Sequence, residues 1–395
     1  MTAPSLERWT IEDSRARLCK RWSVYGPDVI DCTVAEMDFA IAPPVLEAIR
    51  STVERQSFGY PQPDDVSDLP AVAAEWLSAT GLHVRPEQVR LMGDVIKSMV
   101  LALRHLSAPD TPVALITPTY SRFHDAVAAA GRTPVEVPMQ RGATAYRIDL
   151  DLLGRALHDG AGVVLLCNPS NPTGRAYTRN ELVALAELVD RYGAALISDE
   201  IHAPLHFEEF TPYASVNDVA AEHSLTLTSA TKAWNIPGLR CSMAVLTDPR
   251  HLESWDLLPR AAKGGISPLG VQATIAALRD GQEWLDEIRT ILDVNRRLIV
   301  DAFDSAGLSG LVHLPQATYL AWIDLNGLRS SDPASVLRAD AKVATTPGVE
   351  HGAGGEGFVR FNFASPTELI DEAIQKVIHT VKRYSATSAH PLDND

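Results

Sequence analysis

The chain has 395 residues, 46% hydrophobic and 22% charged, with 35 basic against 50 acidic side chains and a formal net charge of −15. That length fits two domains and a large core, and the composition is too apolar for a disordered chain. The acidic excess argues against loose binding to nucleic acid or to an anionic membrane surface, and leaves room for a local basic pocket.

Taken in chain order, MTAPSLERWT has no cationic stretch followed by an apolar core, so no secretory signal is expected. The next thirty or so residues carry little periodicity and read as an arm plus part of a smaller unit. From there the pattern alternates. Residues 88–92 read as a strand, 95–106 as a helix, VALIT (113–117) as a strand and 121–131 as a helix. Strands follow at 134–139 and 163–167, a helix at 179–192, and strands at 194–198, 225–229 and 241–246. Apolar strands alternating with helices predict an α/β fold, with a mainly parallel sheet covered on both faces.

Residues 267–307 carry long helical periodicity and predict one long helix leading into a smaller α+β unit. In that unit 318–325 and 358–364 read as strands, 367–384 as the last helix, and the tail SATSAHPLDND as frayed. The division expected is a large domain over 46–289, and a small domain formed by 1–45 together with 290–395. No apolar run approaches the ~20 residues of a membrane helix. The four cysteines, Cys19, Cys32, Cys167 and Cys241, form no CxxC pair and have no metal-ligand spacing with histidine. They read as reduced thiols in a cytoplasmic protein, with no metal expected.

The glycine-rich run Gly352–Gly357 matches G-x-G-x-x-G, but it precedes a strand instead of following one. A dinucleotide fingerprint must follow a strand and open a helix, so this run reads as a loop.

Three other motifs sit at the carboxyl ends of strands, where ligands bind in open α/β sheets. CNPSNPTG (167–174) carries Asn171, SDEIH (198–202) carries Asp199 and His202, and SATKAWNIPGLR (229–240) carries Ser229, Lys232 and Arg240. Singly, each has a plain explanation as a turn, a helix cap or a solvated charge. As an ordered set they are far more specific.

The set resembles the fold-type I pyridoxal-phosphate enzymes of the class I/II aminotransferase superfamily. The resemblance implies that Lys232 binds the cofactor covalently and later acts as the base at Cα, and that Asp199 pairs with the ring nitrogen. It implies that Asn171 reaches the ring oxygen, and that Ser229 and Arg240 contact the phosphate. Gly93-Asp94-Val95-Ile96 lies between a strand and a helix, where backbone N–H groups can cap a phosphate. Tyr120 matches the residue stacked on the cofactor ring, and Arg360 in FVRFNFA matches the arginine that takes the substrate carboxylate in a bidentate grip.

Within the superfamily, three segments resemble the MalY/PatB group of cystathionine β-lyase-like C–S lyases: VAEMDFAIAPPVLEAI (34–49), with Ala35; Phe58-Gly59-Tyr60; and DEIHAPL (199–205). The resemblance implies a homodimer in which Tyr60 reaches the neighbouring subunit's phosphate. It leaves His202 either positioning the ring or simply packed. The chain departs from the group in three places. It has Cys32-Thr33 where a tryptophan is usual, Asp94 where a small apolar residue is usual, and Ala203-Pro204. A missing indole at Thr33 would widen the entrance to the substrate site. The activity implied is therefore α,β-elimination from an L-cysteine S-conjugate, either cystathionine or a bulkier conjugate of the kind met in antibiotic tailoring. The alternatives are an aminotransferase, a decarboxylative or oxidative deaminase, and a regulatory protein that retains the cofactor fold.

Overall fold

The alternation of apolar strands and helices folds into one twisted seven-stranded sheet with a smaller sheet beside it. The computed structural model describes residues 8–387. Most of the expectation about the N-terminal signal, and the frayed tail from 388 onward, fall outside the described residues; residues 385–387, expected to fray, continue the last helix instead.

In chain order the strands are β1 (Ile30–Asp31), β2 (Val89–Met92), β3 (Val113–Thr117), β4 (Pro134–Pro138), β5 (Gln140–Arg141), β6 (Tyr146–Arg147) and β7 (Val163–Cys167). They continue with β8 (Ala195–Asp199), β9 (Ser224–Thr228), β10 (Ser242–Leu246), β11 (Leu320–Asp324), β12 (Val343–Ala344), β13 (Thr346–Pro347) and β14 (Phe358–Asn362). The large sheet has the order β2-β10-β9-β8-β7-β3-β4. The neighbours from β4 through β9 run parallel, and β10 is antiparallel to both β9 and β2. Every residue of β3, β7 and β9 is buried, as expected of strands covered on both faces.

Several of the helices start where the sequence supplies caps. Thr178 and Glu181 form a capping box for Arg179–Arg191, and Asp149 caps Leu150–His158 through the Leu152 N–H. Register then sets the site. Asp199, the last residue of β8, lies level with Cys167 of β7 and Leu227 of β9. The three strand-end motifs therefore emerge side by side.

The small antiparallel sheet has the order β11-β14-β13 and places Arg360 between Trp322 and Thr346. The N-terminal segment joins this region, because β1 pairs in parallel with β12. Gly352–Gly357 is a loop between a 3-10 turn and β14, with left-handed backbone at Gly352, Gly354 and Gly357.

Residues 267–307 do not form the single helix that their periodicity predicts. They form two, Pro268–Asp280 and Gln282–Ser305, divided at Gly281. The cause is a tertiary contact: the Trp234 indole N–H donates to the Gly281 carbonyl at 3.0 Å. A Cβ at 281 would collide with that indole and with the Ala277 carbonyl. Trp234 lies two residues after Lys232, so this break anchors the lysine loop. We expect Gly281→Ala to cost about 1–3 kcal/mol through overpacking, measured as a lower urea midpoint with an unchanged slope.

Candidate functional site

A cavity of about 560 Å³ lies at the carboxyl ends of the parallel strands, between the large sheet and the small one. It is lined by every site residue read from the sequence except Tyr60.

Lys232 enters from the loop after β9, and its Nζ donates to the Ala35 carbonyl at 2.9 Å. Burial, reinforced by the Arg360 charge, brings its ammonium down to about 8, and Glu36 and Asp199 oppose the shift. Asp199 is buried at the tip of β8, where its Oδ1 accepts the Ile201 N–H at 3.1 Å. That Asx turn ends the strand. Burial pushes the Asp199 carboxyl up to about 7, against the pull of that N–H and of Lys232.

Arg360 is buried in the small sheet. It donates to the Thr33 carbonyl at 2.8 Å, to Thr346 Oγ1 at 3.2 Å and to Asn171 Oδ1 at 3.2 Å, and its Nε has no partner. Burial also lowers its pKa. Because the Asn171 oxygen is engaged, its amide NH₂ is what remains to offer a ligand. Thr33 lines the cavity, but its hydroxyl is turned to Asp31 Oδ1 at 2.6 Å.

His202 is buried with Nδ1 unpartnered and its ring edge-on to Tyr319, centroids 5.9 Å apart. Burial, with the Lys232 and Arg360 charges, holds it down to about 3, so it lines the cavity as a neutral ring. Tyr120, three residues beyond its predicted strand, packs edge-on against Phe123 and faces the same space.

Gly93, Val95, Ile96, Ser229 and Arg240 line the same cavity and could cradle an anion. Gly93 is forced there, since a Cβ would meet the Gly265 carbonyl at 2.7 Å. Val95 and Ile96 open the helix Val95–Leu106 with their N–H groups unclaimed by the helix itself. Ser229 donates to the Cys241 carbonyl at 2.6 Å. Arg240 holds a left-handed conformation, φ 48°, at the end of the turn Pro237–Leu239.

Tyr60 is not brought to this cavity. It is fully exposed and lines a separate one of about 340 Å³ with Gly59, Gln62 and Val271.

Sequence reasoning missed two contributors. Tyr319 is fully buried and donates from its hydroxyl to the same Ala35 carbonyl that receives Lys232, at 3.0 Å. Nothing in the strand-like TYLAWIDL marked it. Cys167 also lines the cavity, and its Sγ accepts the Asn171 N–H at 3.4 Å.

The family model for aminotransferase class I and II matches residues 27–377. The chain belongs to that family. It is 32% identical to the cystathionine beta-lyase of Corynebacterium glutamicum, over 93% of this chain and 98% of that one. It is 31% identical to the cystathionine beta-lyase PatB of Bacillus subtilis, over 89% and 92%. It superposes on cystalysin from Treponema denticola, whose structure contains a pyridoxal 5′-phosphate cofactor, with a TM-score of 0.88 and 25% identity over 97% and 100%.

Pyridoxal 5′-phosphate is the cofactor of this family, and the residues present fit it. Asp199 is a buried carboxyl with a single N–H upon it, and a protonated ring nitrogen is the cation it lacks. Lys232 supplies an amine that is readily made neutral, and the helix N-terminus with Ser229 and Arg240 suits a phosphate.

In cofactor-free protein, the rate at which an amine-reactive reagent modifies Lys232 should titrate near 8, well below an ordinary lysine. A lowered pKa means more neutral amine at a given pH. Arg360→Gln removes a cation and should move the midpoint upward. Peptide mapping of the modified lysine against pH checks both.

Proposed function

We propose that this protein is a pyridoxal-phosphate-dependent carbon–sulfur lyase that cleaves the Cβ–S bond of an L-cysteine S-conjugate, giving a thiol, pyruvate and ammonia. The observation that carries the reading is the placement of Lys232, Asp199, Asn171 and Arg360 around one cavity, in a chain whose relatives include cystathionine β-lyases.

In this reading Arg360 grips the substrate α-carboxylate with a buried guanidinium and fixes the Cα–H bond toward Lys232. Lys232, once free as a neutral amine, takes the Cα proton. Its resting contact is the Ala35 carbonyl, which keeps Nζ on the cavity wall without a counter-charge to hold it protonated. Asp199 holds the ring nitrogen in its protonated form. The bound cofactor supplies a sink for the electron pair left at Cα. The sulfur then leaves from Cβ as a thiolate.

The same reading includes a homodimer in the cytoplasm, in which the exposed Tyr60 completes the partner's phosphate site. Four free cysteines accord with a reducing compartment. Among the described residues no helix is long and apolar enough to cross a membrane, and no group of three or more His, Cys, Asp or Glu is placed to hold a metal ion. The substrate proposed is a conjugate bulkier than cystathionine, because Thr33 lines the cavity where the relatives' pattern calls for an indole.

Incubation with S-substituted cysteines decides the reaction. Thiol and pyruvate in equal amounts are expected; an amino-group transfer product, or an aldehyde with carbon dioxide, would replace this reading. Asp199→Asn should keep the fold and lose on the order of 10²-fold in kcat, comparable to removing a strong electrostatic contact. Thr33→Trp should lower kcat/KM for a bulky conjugate more than for cystathionine, and equal losses for the two substrates would remove Thr33 from the substrate path.

A further inference from the structure

The cradle at the start of the helix Val95–Leu106 contains a group that an anion site does not call for. Asp94 is the N-cap residue, with extended backbone, and its Oδ1 accepts the Lys97 N–H at 2.8 Å. Its Oδ2 lies 3.9 Å from Arg240 Nη1. The carboxylate therefore sits between the two sources of positive potential in the cradle, the helix N-terminus and the Arg240 guanidinium, and it lines the cavity beside Ser229 and Thr231.

We infer that Asp94 sets the affinity for the cofactor by opposing its phosphate. A phosphate held by the same helix N-terminus and the same arginine meets a fixed negative charge, which takes up part of the potential meant for it. The favourable side of the carboxylate is small. The Arg240 side chain is two-thirds exposed and its contact with Asp94 is long, so the ion pair contributes little. The cap is real, but it needs an oxygen acceptor and not a charge, and asparagine or serine supplies one equally well. Removing the charge while keeping the acceptor thus leaves the helix intact and relieves the repulsion. The result of the native arrangement is a cofactor held loosely enough to exchange with the free pool.

This inference rests on the cavity being the pyridoxal-phosphate site. The test is direct titration of cofactor-free wild type, D94N and D94S with pyridoxal phosphate, followed by the quenching of tryptophan fluorescence. Release from the loaded proteins is followed in parallel, and inorganic phosphate is added as a competitor. Kd for pyridoxal phosphate should fall about tenfold in both variants, release should slow, and phosphate should compete more strongly. Unchanged or weaker binding in D94N and D94S, with melting temperatures matching wild type, overturns the role of Asp94 alone. Failure of wild type to bind pyridoxal phosphate overturns this role together with the cofactor site. If D94N fails to fold, D94S decides.

Discussion

Lys232 and Arg360 are two buried cations turned into one cavity, where burial makes both harder to keep charged and the Arg360 charge adds to the effect on Lys232. Burying like charges together is expensive unless polar groups are fixed against them. The structure answers mainly with carbonyl dipoles. Ala35 O receives Lys232, Thr33 O receives Arg360, and both carbonyls come from one short stretch of chain. The choice matters for chemistry. A carboxylate in contact with Lys232 would hold it as an ammonium; a carbonyl steadies the side chain and leaves the amine free to lose its proton.

That stretch has no regular structure of its own beyond the two residues of β1, so its carbonyls must be aimed from outside. Asn362 donates its side-chain amide to the Glu36 carbonyl at 2.8 Å, and its backbone N–H to the Cys32 carbonyl at 2.9 Å. Asn235, three residues after Lys232, exchanges hydrogen bonds with Met37 and reaches the Phe39 carbonyl. Arg21 donates to the Asp31 and Glu36 carbonyls and pairs with Asp38 at 3.2 Å, both side chains being buried. A buried pair of this kind is held by its surrounding hydrogen bonds more than by its charge, and here those bonds fix the path of residues 31–38. The N-terminal segment is thus a wall of the cavity that joins the two sheets.

This explains which parts were legible in the sequence. The α/β alternation was legible, because strands buried on both faces must be apolar and their helices amphipathic. The strand-end motifs were legible, because Asp199, Asn171 and Lys232 act through side chains whose chemistry is written in their type. Ala35 was marked for the substrate site only by resemblance, and the role of its carbonyl was not legible, because a backbone oxygen belongs to every residue and only the fold aims it. Tyr319 escaped for the same reason: its hydroxyl matters through that carbonyl. The break at Gly281 escaped because helical periodicity is a local signal, and the indole that interrupts it lies 47 residues away. Tyr60 was singled out by resemblance alone, and within one chain nothing about its surroundings assigns it a role.

On the proposed reading, the cavity's charges also make the base respond to its substrate. Arg360 contributes to holding Lys232 near 8, and its Nε is still unpartnered. A substrate carboxylate bound to Arg360 places a negative charge between the two cations and cancels much of the guanidinium field at Nζ. The sign follows from linkage: whatever favours the protonated form of Lys232 raises its pKa and makes the neutral amine a stronger proton acceptor. In the cofactor-free protein Lys232 is therefore easiest to deprotonate while Arg360 is unoccupied, and once freed from the cofactor it is most basic with the carboxylate in place. His202, a neutral ring beside Tyr319, contributes no charge to this exchange, while Glu36 and Asp199 already act on Lys232 in the same direction as the arriving carboxylate. Holding two cations in one cavity costs stability in the cofactor-free protein, and the same proximity couples substrate binding at Arg360 to basicity at Lys232.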